Sequence, residues 1–346
     1  MRRALRVPWV PLLVATVVAG LVLSFSTRAF SNTFNIYSIL QIAAVDAVVG
    51  LSQMVVLAIG DMSLAVGGMA GLVTVVVGYL YQVQHWPVGL AVLVGLVAGP
   101  VFGLVNGAII ARTGLSAFIV TLATGTAFTG VAYGVTSSIP YADVPSVLVR
   151  LGQGRAAFFP YLLVVALVAS VLIGSILHWM PFGRALLAMG GSREAAVLSG
   201  LSRQQSTIIA HTLSGLLAGV AAVMYIGVLG TATPATGTDW LIVSFAVPII
   251  GGTALAGGEA HAFGCLVAGV VLATINDALI VLNISTYAVE MAEGLLIFVA
   301  VFAGRLGQEA AGTQRPEYGH RGGHVGPRSS GQGAVAREPL DGAQVT

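Results

Sequence analysis

The sequence predicts an all-α polytopic transmembrane bundle of about ten segments, arranged as two halves of opposite topology. Three observations carry that expectation. Hydrophobic residues make up 57% of the 346 and charged residues only 8%, with a mean hydropathy of +0.94, far from the composition of a soluble domain. The apolar residues fall in runs that approach the roughly 20 residues needed to span a bilayer. The 45 glycines suit close helix–helix approach in lipid, where small residues let backbones meet.

The first apolar run, about 9–26, follows Arg2, Arg3 and Arg6, the flanks of a signal peptide. Its length, and the lack of a small-x-small cleavage site at Thr27-Arg28-Ala29-Phe30, read as an uncleaved first helix. Nine more runs follow at about 37–59, 63–82, 88–111, 116–136, 160–179, 205–229, 241–256, 261–282 and 287–304. The third and eighth are short or broken by glycine: Gly60-Asp61-Met62-Ser63-Leu64-Ala65-Val66-Gly67-Gly68 and Gly251-Gly252-Thr253-Ala254-Leu255-Ala256-Gly257-Gly258. Residues 1–306 therefore form the membrane domain. The tail at 307–346, rich in Gly, Arg, Pro, Gln and Glu, is expected to be disordered and solvent-exposed.

All 15 cationic residues are Arg. With ten spans and a cytoplasmic N-terminus, Arg2, Arg3, Arg6, Arg112, Arg184, Arg193, Arg203 and Arg305 fall on the cytoplasmic side. Only Arg28, Arg150 and Arg155 fall outside. That asymmetry satisfies the positive-inside bias and puts both termini in the cytoplasm. A faint repeat accompanies it: Gly103-Leu104-Val105-Asn106-Gly107-Ala108-Ile109-Ile110 resembles Ala273-Thr274-Ile275-Asn276-Asp277-Ala278-Leu279-Ile280, offset by 170. Segments two, four and five pair with seven, nine and ten. Glycine-broken segments in corresponding places of two inverted halves point to a substrate path.

A polar island, Pro181 to Arg203, interrupts this apolar chain on the cytoplasmic side. Ser192 can cap a helix that Arg193 begins, Glu194 suits its positive end, and Gly200 suits a left-handed stop. The expected helix is about two turns, too short to stand alone in water. It must lie against something, or be an ordinary interfacial loop; Ala195, Ala196 and Ser199 offer a small-residue face.

Other residues divide between chemistry and packing. Gly95, Gly99, Gly103 and Gly107, spaced by four, read as a helix-packing stripe. Asn106 and its repeat mate Asn276 either line a polar path or tie helices together. Asp46 shares a face with Gly50 and Gln53; a carboxylate there costs about 2.5–3.5 kcal/mol on insertion scales and must face protein or water. Asp277, Glu290 and Glu293 raise the same question. His85, His178, His211 and His261 are scattered and suggest no metal site. Cys265 is the single cysteine, which excludes an internal disulfide. Without Lys there is no G-x-x-x-x-G-K-[ST] phosphate loop, and no Ser/His/Asp or Cys/His constellation stands out. Any ATP chemistry belongs to another subunit, and nothing in the charge pattern calls for nucleic acid.

The island resembles the coupling loop of ribose-type ABC importer permeases. Gly190-Gly191-Ser192-Arg193-Glu194-Ala195-Ala196-Val197-Leu198-Ser199-Gly200-Leu201, after Phe182-Gly183-Arg184, is similar to their G-G-N-x-E-A-A-x-x-S-G-I pattern. Ser116-Ala117-Phe118-Ile119-Val120-Thr121-Leu122, Gly103-Leu104-Val105-Asn106-Gly107 and the second glycine-broken stretch agree, so the likeness covers about 35–305. It implies a homodimer or heterodimer that binds two cytoplasmic ATPase subunits carrying ATP and Mg, fed with sugar by an extracytoplasmic binding protein at a prokaryotic inner membrane. It also implies that Gly190, Gly191, Arg193, Glu194, Ala195, Ala196, Ser199 and Gly200 form the docking element. Asp46, Asp61, Ser63, Asn106, Phe118, Thr121 and Asn276 are the candidates for the solute path. Two departures touch that path or its rim. Ser63-Leu64-Ala65-Val66-Gly67 occupies the family's D-L-S-V-G patch with Asp61 two residues early, and Glu259 stands where a basic residue is common. An ion-coupled transporter with Asp46, Asp61 or Asp277 as relay, and a related permease for branched amino acids or nucleosides, are the alternatives.

Overall fold

The computed structural model describes residues 32–156 and 159–282, with a few isolated residues beyond them. The expected first segment, nearly all of the tenth with Glu290 and Glu293, and the tail lie outside the described residues. The chain divides into two compact units, Met1–Gly304 and Arg305–Thr346, and all described residues belong to the first.

The helices in chain order are α1 (Thr33–Ala58), α2 (Val66–Gly78), α3 (Val88–Thr113), α4 (Ala117–Thr136), α5 (Ser146–Gln153), α6 (Tyr161–Trp179), α7 (Pro181–Gly191), α8 (Arg193–Leu198), α9 (Arg203–Leu229), α10 (Trp240–Ile250) and α11 (Ala262–Val281). Two short strands, β1 (Arg155–Ala156) and β2 (Phe159–Pro160), pair antiparallel between α5 and α6. Among the described residues, seven helical spans are long and apolar enough to cross a membrane: α1, α3, α4, α6, α9, α11, and α2 continued through a π-helical turn at Tyr79–Val83. With α10, of 11 residues, they account for segments two to nine.

The helix ends follow local chemistry. The Asn32 side chain accepts the Phe34 N–H at 3.1 Å to start α1, and Ser202 accepts the Gln205 N–H at 3.3 Å to start α9. Pro181 opens α7 at a position where its missing N–H costs nothing. After α1 the chain turns at Gly60, whose φ of +75° is strained for any residue with a Cβ.

α1 is the central post, buried on all sides from Ala43 to Ile59. It is packed by α9, α10, α11 and α6. α3, α4 and α6 turn apolar side chains outward, among them Leu93, Val97, Leu122, Val164 and Leu172, as a lipid-facing rim does. The predicted glycine stripe on α3 is an interface. Gly99 and Gly103 press on the α9 backbone at Gly215 and His211, and Gly107 on Ile208, leaving no room for a Cβ. Gly269, 170 residues after Gly99, meets Ala43 and Ala47 of α1 in the same manner. α3 packs on α9 as α11 packs on α1, and α2 packs on α9 as α10 packs on α1. Exchange of two related halves requires that pattern.

The weak third and eighth segments are interrupted, as their glycines suggest, but the helices are shorter than expected. Gly60–Ala65 is irregular, so α2 begins at Val66 and not at 63. Residues 251–261 are irregular, so α10 ends at Ile250 and not near 256. The first break is held by side chains that take up its backbone. With its amide oriented to satisfy both groups, Gln53 donates to the Ser63 carbonyl at 2.9 Å and accepts the Ser63 N–H at 3.2 Å, and Leu64 N–H donates to Thr121 Oγ1 at 2.9 Å. The sequence reading also passed over α5 and the strand pair. Both sit at the opposite end of the bundle from Asp61, where Tyr37 Oη donates to the Gln153 carbonyl and Gln41 Nε2 to the Gly152 carbonyl, each at 2.8 Å.

Candidate functional site

The polar island folds as two helices, not one. α7 is an 11-residue helix whose Gly183, Leu186 and Met189 face inward. The chain then extends at Ser192 (φ −157°, ψ 102°), and Ser192 Oγ accepts the Ala195 N–H at 3.4 Å to start α8. Leu201 N–H returns to the Ala196 carbonyl at 3.1 Å, with Gly200 left-handed at φ +86°. The cap and the stop are those the residues predicted. α8 has six residues, slightly under the two turns expected.

The facing of α8 differs from the expected small-residue face. Ala196 points into the protein and is 5% exposed, whereas Leu198 is 89% and Val197 49% exposed. Arg193, Glu194, Ala195, Ser199 and Gly200 are also exposed. The outward surface of α8 thus carries the charged Arg193 and Glu194 beside Ala195 and two exposed aliphatic side chains, Val197 and Leu198.

Behind α8, the end of α7, the end of α1 with the first break, and the second break meet backbone to backbone. Gly258 N–H donates to the Ala58 carbonyl at 3.0 Å. A Cβ on Gly190 would collide with that same carbonyl and with the Gly258 amide, and one on Gly257 with Gly60. The end of α7 is therefore wedged against both glycine breaks, one from each half. Arg193 Nη2 lies 3.3 Å from Asp61 Oδ1, with the Asp61 side chain 13% exposed. Burial raises the Asp61 carboxyl above its ordinary value, and the Arg193 and Arg203 guanidiniums pull it part of the way back. Asp61, Ile110, Ser116, Phe118, Arg193 and Arg203 line a polar cavity of about 400 Å³ here.

The solute-path candidates do not gather at one place. Asp61 and Phe118 share this cavity, with Phe118 49% exposed. Ser63 and Thr121 are buried at the first break, where Thr121 Oγ1 also donates to the Ala117 carbonyl at 2.7 Å. Asn106 is buried between α3 and α2, its Nδ2 3.7 Å from the Met69 sulfur. Asp46 is buried on α1, one turn before Gly50, which meets Val247 of α10. Asn276 is half-buried on α11, beside Asp277, whose Oδ2 accepts from Asn35 Nδ2 at 2.6 Å. Among the described residues no group of three His, Cys, Asp or Glu comes together to hold a metal ion. Sequence reasoning missed Gln53 as the brace of the first break and Leu198 as the exposed tip; the glycine break so close to a buried amide was the available signal for the first.

A multi-pass apolar bundle with glycine-broken spans in two related halves, and a capped short helix exposed at one end, has the architecture of a membrane transporter, and the relatives of this chain are permeases of the ABC-importer class. The chain belongs to the family described as branched-chain amino acid transport system / permease component, whose model matches residues 35–303. It is similar to ribose import permease protein RbsC of Haemophilus influenzae, 28% identical over 294 residues that cover 84% of this chain and 91% of that protein. It is also similar to L-arabinose ABC transporter permease protein AraH of Azospirillum brasilense, at 30% identity over 81% of this chain and 82% of that protein. Fructose import permease protein FrcC of Rhizobium meliloti is 30% identical, over 85% and 83%. No solved structure matches the chain.

Proposed function

We propose that this permease carries a monosaccharide or a related small polar solute across the inner membrane of a prokaryote, driven by ATP hydrolysed on separate cytoplasmic subunits. An extracytoplasmic binding protein delivers the solute, a second permease copy completes the path, and α8 is the contact to the ATPase. The solute class rests on relatives named for ribose, D-allose, L-arabinose and fructose. ATP and Mg belong to the partner, since a chain without Lys lacks the usual phosphate loop. Among the described residues, Arg112, Arg184, Arg193 and Arg203 stand at the α8 end and Arg150 and Arg155 at the other, which supports a cytoplasmic α8.

The observation that carries the reading is the exposed tip of α8. Leu198 and Val197, 89% and 49% exposed, put two adjacent aliphatic side chains on the tip of a six-residue helix, the kind of surface that a partner's cleft would cover. Ala195→Trp and Leu198→Asp are each expected to cut co-purification with the ATPase subunit at least tenfold, while the chain inserts in the membrane and stays monodisperse in detergent. Ala196→Trp, whose side chain would enter the bundle, is expected to damage folding instead. Undiminished co-purification of both outward variants would contradict the docking role. Solute class is read by uptake of labelled D-ribose, D-allose, L-arabinose and D-fructose beside L-leucine, with a sugar expected to lead.

A further inference from the structure

Six residues of helix with one buried side chain cannot fix their own position on the bundle. The position of α8 is set by its flanks, and these flanks differ in kind. On the α7 side the contact is backbone on backbone, Gly190 against Ala58 and Gly258. It has no side chain to rotate and no slack. On the α8 side it is an ion pair between the first residue of the helix, Arg193, and Asp61 in the first break. Arg193 is 42% exposed and Asp61 13%, so the arginine can leave into water while the carboxylate stays behind. A second guanidinium, that of Arg203 at the start of α9, lines the same cavity and lies within electrostatic reach of the same carboxylate. Asp61 therefore has one ion-pair partner on α8 and a second cation in reserve on α9.

We propose that Asp61 and Arg193 form a releasable latch between the coupling helix and the first break, with Arg203 taking over the carboxylate when Arg193 leaves. This rests on the permease reading for its purpose, but the latch itself is a property of the chain alone. With the latch closed, α8 is tied to the α1–α2 break of one half, while Gly190 ties α7 to the 251–261 break of the other. Displacement of α8 by a partner opens the ion pair first, because half-exposed charge pairs are weak, and then loads the backbone contacts that cannot stretch. The carboxylate is never left bare in the protein, because Arg203 remains. Asp61 and Arg193 are thus positioning residues, holding the helix in register with both breaks until the motor moves it. Neither lies at a position that the coupling-loop pattern fixes: Arg193 fills its variable place, and Asp61 stands two residues ahead of the expected acid.

Hydrogen exchange of the full-length permease in nanodiscs, with no partner present, tests the latch. Asp61→Asn and Arg193→Gln are each expected to speed exchange of the α8 amides by about two- to fivefold, the range of a half-exposed pair. The double variant Asp61→Asn/Arg193→Gln is expected to be no faster than either single, since coupled residues do not add. Arg193→Lys, which keeps a cation opposite Asp61, is expected to retain most of the protection. Unchanged exchange in both singles, or fully additive effects, would overturn the latch. In the complex with its ATPase, the singles Asp61→Asn and Arg193→Gln are expected to raise ATP hydrolysis in the absence of sugar at least twofold, and Arg193→Lys to leave it near the unaltered level. Failure of the chain to assemble with any ABC ATPase, with exchange behaving as expected, would sink the permease reading and leave the latch. Normal assembly with exchange unaffected would do the reverse.

Discussion

Gln53 is fully buried on α1, and its amide pairs with both backbone groups of Ser63 across the turn at Gly60. Replacing it by Leu keeps the volume but leaves a buried N–H and a buried carbonyl unpaired, each at about 1–3 kcal/mol. Gln53→Leu is expected to lower the detergent melting temperature by several degrees, and an unchanged melting temperature would show that water already serves the break. The sequence placed Gln53 on the face of Asp46 and Gly50 but not against Ser63, since that pairing depends on how the chain turns back over α1. Ala195 and Ala196 carry a similar lesson. Ser192 and Gly200 announced the ends of α8, yet two turns hold too few residues for periodicity to say which alanine faces in.

The α3–α9 contact was legible because its signal repeats along a whole helix. Four glycines at a spacing of four marked one side of α3, and the structure sets three of them against α9. Gly103→Leu would drive a side chain into the His211 carbonyl, and overpacking of this kind costs about 1–3 kcal/mol. Gly103→Leu should therefore lower the thermal unfolding midpoint in detergent clearly, while Gly89→Ala, with no atom within 4 Å of its Cβ, should not. Equal effects would mean the stripe is not the contact that holds these helices. α5, α7 and the short strand pair were not legible. Each is brief, lies at an end of the bundle, and owes its place to partners distant in sequence, such as Gln41 and Tyr37 for α5. The glycine breaks were visible as breaks, but the length of the first was not, because side chains from α1 and α4, Gln53 and Thr121, decide where helix resumes.

Across the whole molecule, the 170-residue offset seen between Asn106 and Asn276 corresponds to packing: Gly99 and Gly269 are both close-approach points, on α9 and on α1. The two halves meet at their breaks, and the island sits where they meet. Under the proposed coupling the molecule responds to force on α8, whereas a carboxylate relay would respond to an ion gradient. Asp61 separates the two readings least well, because its geometry suits a latch and its chemistry a relay. The most direct measurement is uptake of the sugar panel into proteoliposomes that hold the permease with its ATPase and binding protein, with and without ATP on the ATPase side. The account predicts uptake that requires ATP and falls to background when the ATPase subunit is omitted. Uptake that persists without the ATPase and follows an imposed proton or sodium gradient would contradict it.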